Sequence, residues 1–316
     1  MVNDWRLIAG KQHFFTASRL PSQVFKSEIL KAKDTGFSIK KTLNLAGNLL
    51  DLSQPRVMGI LNITPDSFYE NSRKQSEKSI LLQTEKMLQE GADIIDIGAY
   101  SSRPGAADIS AEEEWSRLQP AIRSILQYFP ETYLSVDTFR AGVAEKAVAE
   151  GACMVNDISG GELDPAMFKT IARLQVPYIL MHMRGAPQNM KELNGYDDLL
   201  HEIYDYFALK LNKLSALGVN DIVIDPGFGF AKNIAQNYEL LQNMGYFSAL
   251  EVPVLVGISR KSMIYKKLNI SPAEALNGTT VLHTISLMQG ASLLRVHDVK
   301  EAVEAVKLFK LTFSAH

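Results

Sequence analysis

The chain has 316 residues, 46% hydrophobic and 22% charged, with a formal net charge of -2. One large core fits that length, since a parallel α/β barrel commonly uses roughly 250 residues as a single unit, and the near-neutral charge argues against a nucleic-acid partner while leaving local basic residues for an anionic small molecule. Cys153 is the only cysteine, which excludes internal disulfides and cysteine metal clusters and fits a reducing compartment.

Residues 1–41 carry Arg6, Lys11, Arg19, Lys26, Lys31, Lys33, Lys40 and Lys41 against Asp4, Glu28 and Asp34, with apolar residues scattered and without a sustained period. They are expected to form a basic, poorly ordered extension. An organelle-targeting peptide is the sharper reading, and the three acids count against it. The opening Met1–Arg6 lacks the apolar core of a secretory signal, and no apolar run approaches the ~18–20 residues of a membrane span. A cytoplasmic protein that binds neither membrane nor nucleic acid is expected.

From residue 42 to 316 the chain is expected to form one domain. Leu43–Leu52 alternates around Gly47-Asn48, predicting a hairpin that plugs the N-terminal end of a barrel, closed by Pro55. Eight strand-length apolar runs follow, beginning at Val57, Ile94, Tyr133, Cys153, Tyr178, Ile222, Val254 and Leu293. Helical stretches separate them, among them Ser76–Glu90, Ala111–Tyr128 and Tyr196–Leu217, with a last helix over Val299–Lys310. Such unalternating runs suit strands covered on both faces. Strict alternation implies a parallel sheet, and eight units imply closure into a (β/α)8 barrel. An open doubly wound sheet would want a Gly-x-Gly-x-x-Gly turn after the first strand, and Asn62-Ile63-Thr64-Pro65 has none.

In such a barrel the strand C-termini build the active site. They offer Asn62, Asp96 with Arg103 beyond it, Asp137, Asn156, His182, Asp225, Lys261, Arg295 and His297. Singly, each has a plainer explanation: a strand-end Asp is often a helix cap, and a lone His such as His182 is more often a satisfied core residue than a catalyst. Convergence of the whole set on one face is what those explanations leave over. Arg103, Arg295, His297 and Lys261 suit phosphate oxygens. Asp137, Asn156 and Asp225 suit a flat heterocycle with an edge of donors and acceptors. Asn62 offers one neutral oxygen, enough for Mg²⁺ only if substrate phosphates and water complete its shell. In Asp225-Pro226-Gly227-Phe228-Gly229-Phe230-Ala231-Lys232 the glycines allow a sharp turn close to a ligand. Phe228 and Phe230 are both expected to serve the site rather than the core. Gly257, just before Ser259-Arg260-Lys261-Ser262, leaves room for a flat ring against the backbone.

These segments carry a resemblance. Met58–Phe68, Ser101-Ser102-Arg103-Pro104-Gly105-Ala106, Ser135-Val136-Asp137-Thr138, Val155-Asn156-Asp157-Ile158, Met181-His182-Met183, Asp225–Lys232, Ser259–Ser262 and Arg295-Val296-His297-Asp298 resemble, in order and spacing, the motifs of the dihydropteroate synthase family. The resemblance runs from about Leu43 to the C-terminus. It implies a transferase of folate synthesis that joins 6-hydroxymethyl-7,8-dihydropterin diphosphate to 4-aminobenzoate, with Mg²⁺, as a homodimer, and by family analogy a sulfonamide target. Carried over by position, Asp137, Asn156, Met181, Asp225, Gly257, Lys261 and Arg295 match the pterin pocket. Asn62, Ser102, Arg103, Arg295 and His297 match diphosphate contacts, with Asn62 also at the metal, and Phe68, Pro104, Phe230 and Ser262 surround the aminobenzoate. Asp66, Arg103, Asp137 and Lys261 are the expected catalytic residues, Asp66 arriving when its loop closes.

One departure stands out: Gly98-Ala99-Tyr100-Ser101-Ser102-Arg103 replaces the commoner Gly-Gly-Glu-Ser-Thr-Arg, so Tyr100 stands where an acid is usual. It is the only feature favouring a non-catalytic pterin-binding paralogue. A pterin-dependent methyltransferase domain is the other alternative, but such a domain has no need of Arg103-Pro104 or of the Ser-Arg-Lys-Ser segment.

Overall fold

The computed structural model describes residues 39–63, 73–101 and 108–313; the extension expected over residues 1–41 lies outside them up to residue 38. The described chain opens with two short antiparallel strands, β1 (Thr42–Leu45) and β2 (Asn48–Asp51), with Leu43 opposite Leu50 and Leu45 opposite Asn48. The two turn residues are therefore Ala46 and Gly47, at φ 51° and 91°, one position earlier than the expected Gly47-Asn48. A two-residue hairpin turn of this hand needs positive φ at both central positions. Asn44 fixes the register by accepting the Gly47 N–H on its side-chain oxygen at 2.8 Å, which leaves Asn48 to begin β2.

The hairpin closes the bottom of a barrel, as its pattern predicts. Leu43, Leu45, Leu50 and Leu52 are buried against residues such as Met58, Ile94, Met154 and Val223, which lie on four different strands of the larger sheet. Lys40 ties the chain to the same end, its ammonium 2.6 Å from Asp221.

That larger sheet has eight strands: β3 (Arg56–Asn62), β4 (Ile94–Gly98), β5 (Leu134–Asp137), β6 (Met154–Asp157), β7 (Tyr178–Met181), β8 (Ile222–Asp225), β9 (Leu255–Val256) and β10 (Leu293–Val296). Their pairing is parallel throughout, in the order β8-β7-β6-β5-β4-β3-β10-β9. A single bridge, Ile224 to Val254, closes β8 onto β9. Closure is thus achieved, but β9 contributes only two residues of ladder. The continuous apolar runs have the expected cause: every residue of β4, β6, β7 and β8 is buried.

The outer layer holds α1 (Arg73–Gln89), α2 (Ala111–Tyr128), α3 (Ala141–Ala149), α4 (Met167–Leu174), α5 (Leu199–Ala216), α6 (Ile234–Gln242), α7 (Ser262–Leu268), α8 (Leu276–Met288) and α9 (Val299–Phe313). The α5 helix starts at Leu199 rather than near Tyr196, because the Asp198 carboxylate accepts the His201 N–H and caps it there. Between β9 and β10 lie two helices. Asn269 ends α7 in the left-handed region at φ 55°, and Pro272 starts a separate turn before α8. Among the described residues no helix is long and apolar enough to cross a membrane.

Candidate active site

Asp96 is the anchor of the barrel mouth. It lies in β4 between isoleucines and is fully buried. A carboxylate cannot sit there unpaired. Arg295, near the end of β10, meets it: its Nε donates to Asp96 Oδ2 at 2.6 Å and its Nη2 to Asp137 Oδ2, also at 2.6 Å. Asn156 Nδ2 donates to the same Asp96 oxygen at 2.9 Å. Four residues from β4, β5, β6 and β10 thereby form one network.

The charges in this network are set by position. Burial pushes Asp137 up to about 7; Arg295 opposes the rise and Asp96 adds to it. The Asp137 side chain remains 20% exposed. Burial alone would lower Arg295, but Asp96 and Asp137 outweigh it and hold the guanidinium charged. Asp225, buried at the end of β8, is raised by burial, with Lys261 and the Gly227 N–H pulling the other way. Lys261 is brought down to about 8 by burial, against the pull of Asp225.

The loop after β8 is held from both sides. Asp225 Oδ1 accepts the Gly227 N–H at 2.8 Å. Gly227 sits at φ +72°, and a β-carbon there would fall 2.0 Å from the His182 carbonyl oxygen, so only glycine fits. Behind the loop, Lys232 Nζ donates to the carbonyls of Gly227 and Phe230, each at 3.1 Å, and lies 2.9 Å from His182 Nδ1. In front, Lys261 Nζ donates to the Phe228 carbonyl and lies 4.6 Å from the Phe230 ring centre. His182 is a satisfied core residue, as its environment in the sequence suggests. Burial first and then Lys232 lower its pKa well below the usual value, so it is neutral.

The two phenylalanines of this loop part company. Phe230 is half-buried beside Lys261, facing the site. Phe228 is fully buried in the main core, which corrects the expectation that both serve a ligand: the tight turn at Gly227 sends the first ring inward.

The other expected residues surround this centre. A β-carbon on Gly257 would meet Asp225 Oδ2 at 3.8 Å and Arg295 Cβ at 4.0 Å. Those are ordinary contacts, so nothing in the protein demands glycine there; the bare backbone leaves a flat face between Asp225 and Arg295. Met181 is buried in an apolar group with Ile158, Met183, Met190 and Ala231, against which Phe230 packs. His297 Nδ1 lies 3.0 Å from Ser259 Oγ. Asn62 ends β3, exposed and in register with Gly98, and Ser262 opens α7. Asp66, Phe68, Ser102, Arg103 and Pro104 lie outside the described residues.

Tyr100 has definite partners where the family acid would stand. Its hydroxyl accepts from Gln188 Nε2 at 3.0 Å, and its ring meets Phe139 edge-on at 4.9 Å. Asp96, by contrast, was visible on the rim in the sequence but carried no role. The signal was a lone acid inside an apolar strand, which predicts a buried partner. Among the described residues no group of three or more His, Cys, Asp or Glu could hold a metal ion.

The raised Asp137 pKa predicts a pH dependence. The native group binds its proton up to about pH 7, against 3.8 for the ordinary value. Its contribution to stability is therefore complete below about pH 4 and lost as pH rises through 7. Asp137→Asn should flatten stability against pH between those limits in denaturant titrations. An unchanged slope would show that Asp137 is not the group responsible.

The model of the pterin binding enzyme family matches residues 58–297. The dihydropteroate synthase of Escherichia coli K12 is 43% identical over 85% of this chain and 95% of its own length. The crystal structure of the Yersinia pestis dihydropteroate synthase, in complex with a sulfonamide drug, superposes with a TM-score of 0.80 at 42% identity, covering 87% of this chain and all of that one. A Xanthomonas albilineans dihydropteroate synthase with 4-aminobenzoic acid also gives 0.80, at 36% identity over 87% of this chain and 99% of that one. A barrel of this order, with this cluster at its mouth and these likenesses over nearly its whole described length, belongs to the pterin-binding enzyme family, among the dihydropteroate synthases.

Proposed function

We propose that this chain condenses 6-hydroxymethyl-7,8-dihydropterin diphosphate with 4-aminobenzoate to give 7,8-dihydropteroate and diphosphate. The observation that carries the reading is the charged Arg295 held by Asp96 and Asp137 beside the bare backbone of Gly257, with Asp225, Asn156 and Lys261 around it. A flat heterocycle laid on that face meets a guanidinium plane above and carboxylate and amide acceptors at its edge. The exocyclic carbon–oxygen bond breaks, diphosphate leaves with the electron pair, and the amine nitrogen of 4-aminobenzoate bonds to the carbon and loses a proton. No covalent link to the protein is needed. The work is electrostatic: Asp137 faces the ring as positive charge builds on it, while Arg295, His297 and Arg103 take the diphosphate. Phe230 and Ser262, with Phe68 and Pro104, are assigned to the 4-aminobenzoate side, and Asp66 to the ring once its loop closes.

Mg²⁺ fits the donor set in one way only. Asn62 supplies a neutral oxygen, and a hard cation with so few protein ligands takes the rest of its shell from substrate phosphates and water. When bound, it offsets charge on the leaving diphosphate. A cytoplasmic location accords with the single, buried Cys153 thiol.

A homodimer is supported by an apolar face on α8 and α9. Val281, Ile285 and Met288 share one face of α8, and Leu308, Leu311 and Phe313 are exposed on the adjoining α9. Sedimentation velocity should find a dimer that Leu308→Glu disrupts; a wild-type monomer at micromolar concentration would contradict it.

The catalytic reading is tested by diphosphate release from the dihydropterin diphosphate with and without 4-aminobenzoate, with the product identified by mass. Release that requires 4-aminobenzoate and yields dihydropteroate is expected; release without it would make the second substrate wrong. Asp225→Asn keeps an oxygen for the Gly227 N–H but replaces the carboxylate's second acceptor oxygen with an N–H donor. It should weaken pterin affinity by about tenfold to a hundredfold, and unchanged affinity would remove Asp225 from the pocket.

A further inference from the structure

Two motifs at the site contain members to which no role has fallen: Arg260 in Ser259-Arg260-Lys261-Ser262 and Asp298 in Arg295-Val296-His297-Asp298. The fold brings them together. Arg260 Nε donates to Asp298 Oδ2 and Nη2 to Asp298 Oδ1, both at 2.8 Å. Its Nη1 donates to the carbonyls of Pro272 at 2.9 Å and Ala273 at 2.5 Å, and its backbone N–H to Thr279 Oγ1 at 3.1 Å. One side chain therefore joins the loop after β9, the loop after β10 and the turn between α7 and α8.

Three further observations give this contact a purpose. Arg260 sits at φ 55°, a left-handed conformation that β-carbon sterics disfavour. The reversal turns Arg260 toward Asp298 while its neighbour Lys261 reaches the Phe228 carbonyl. A second link runs parallel, from the His297 N–H and Nδ1 to Ser259 Oγ at 3.2 and 3.0 Å. Finally, β9 is two residues long and its outer side is closed by one bridge. The ladder alone fixes the following loop poorly, so side chains must do it.

We propose that Arg260 and Asp298 are a positioning pair. Together they set Lys261 and Ser262, on the pterin and 4-aminobenzoate side, at a fixed separation from His297, on the diphosphate side. Neither touches substrate. The inference rests on the proposed function and names the pair that keeps its two half-sites in register. Lysine cannot replace Arg260, because a point ammonium cannot take the carboxylate with a planar fork and still reach two carbonyls.

Arg260→Lys, Asp298→Asn and the double variant test it in the full-length enzyme, assayed well below each melting temperature. Conservative changes are used so that the chain still folds. Wild-type protein that makes no dihydropteroate would sink the proposed function before the pair is questioned. Each single variant should raise both the Kd for the pterin diphosphate and the KM for 4-aminobenzoate, with kcat/KM down by about tenfold or more. The double variant should be no worse than the poorer single one, because the two act as a unit. A single variant that melts earlier but keeps both constants within about twofold of wild type, or losses that multiply in the double variant, would make the pair merely structural.

Discussion

Arg295, charged and held between Asp96 and Asp137, is the constraint on which the rest of the barrel mouth depends. Removing an ionised guanidinium and a carboxylate from water is costly unless each finds oriented partners. Here the partners come from different strands. Arg295 lies on β10, which pairs with β3, which pairs with β4 and so with β5. Its level on the sheet matches Met58, which in turn matches Ile94, so the guanidinium reaches forward two positions to Asp96. Only a sheet with these strands in this order can assemble the group. The active site and the strand order of the sheet are thus one structural fact.

The same arrangement explains the division of charge around the pocket. Asp137 is raised by burial but faces Arg295, and Lys261 is lowered by burial but faces Asp225. Each group is therefore sensitive to the charge of whatever enters. A ring that gains positive charge as diphosphate leaves would favour the ionised Asp137 at the moment it is needed. The loop carrying Phe230 is held behind by Lys232 and in front by Lys261 through their bonds to its carbonyls, so the pocket wall is preorganised rather than assembled by the ligand.

Much of this was legible in the sequence because it depends on local pattern. Eight strand-length, largely apolar runs with polar residues at or near their ends specify a parallel barrel and which end of it is chemical. The leucine alternation over residues 43–52 specified the plug. What was not legible depends on geometry that local pattern does not encode. The hairpin turn moved by one residue because Asn44 captured the Gly47 N–H. Phe228 and Phe230 are two residues apart in one loop, yet only the turn at Gly227 decides which becomes core. Asp96 and Arg295 are 199 positions apart, and nothing near either names the other. Arg260 and Asp298 stood in recognised motifs, but their pairing emerged only when the loops after β9 and β10 were set side by side.

The most direct test of the account is the affinity of Asp96→Asn protein for the dihydropterin diphosphate. Asp96 is fully buried, and its Oδ2 accepts from both Arg295 and Asn156; the account has it act on binding through the orientation it gives those two side chains. The account predicts that affinity falls by about tenfold or more in a protein that remains folded. Wild-type affinity in that variant would mean that Arg295 holds its place without Asp96, and that the network is not what organises the site.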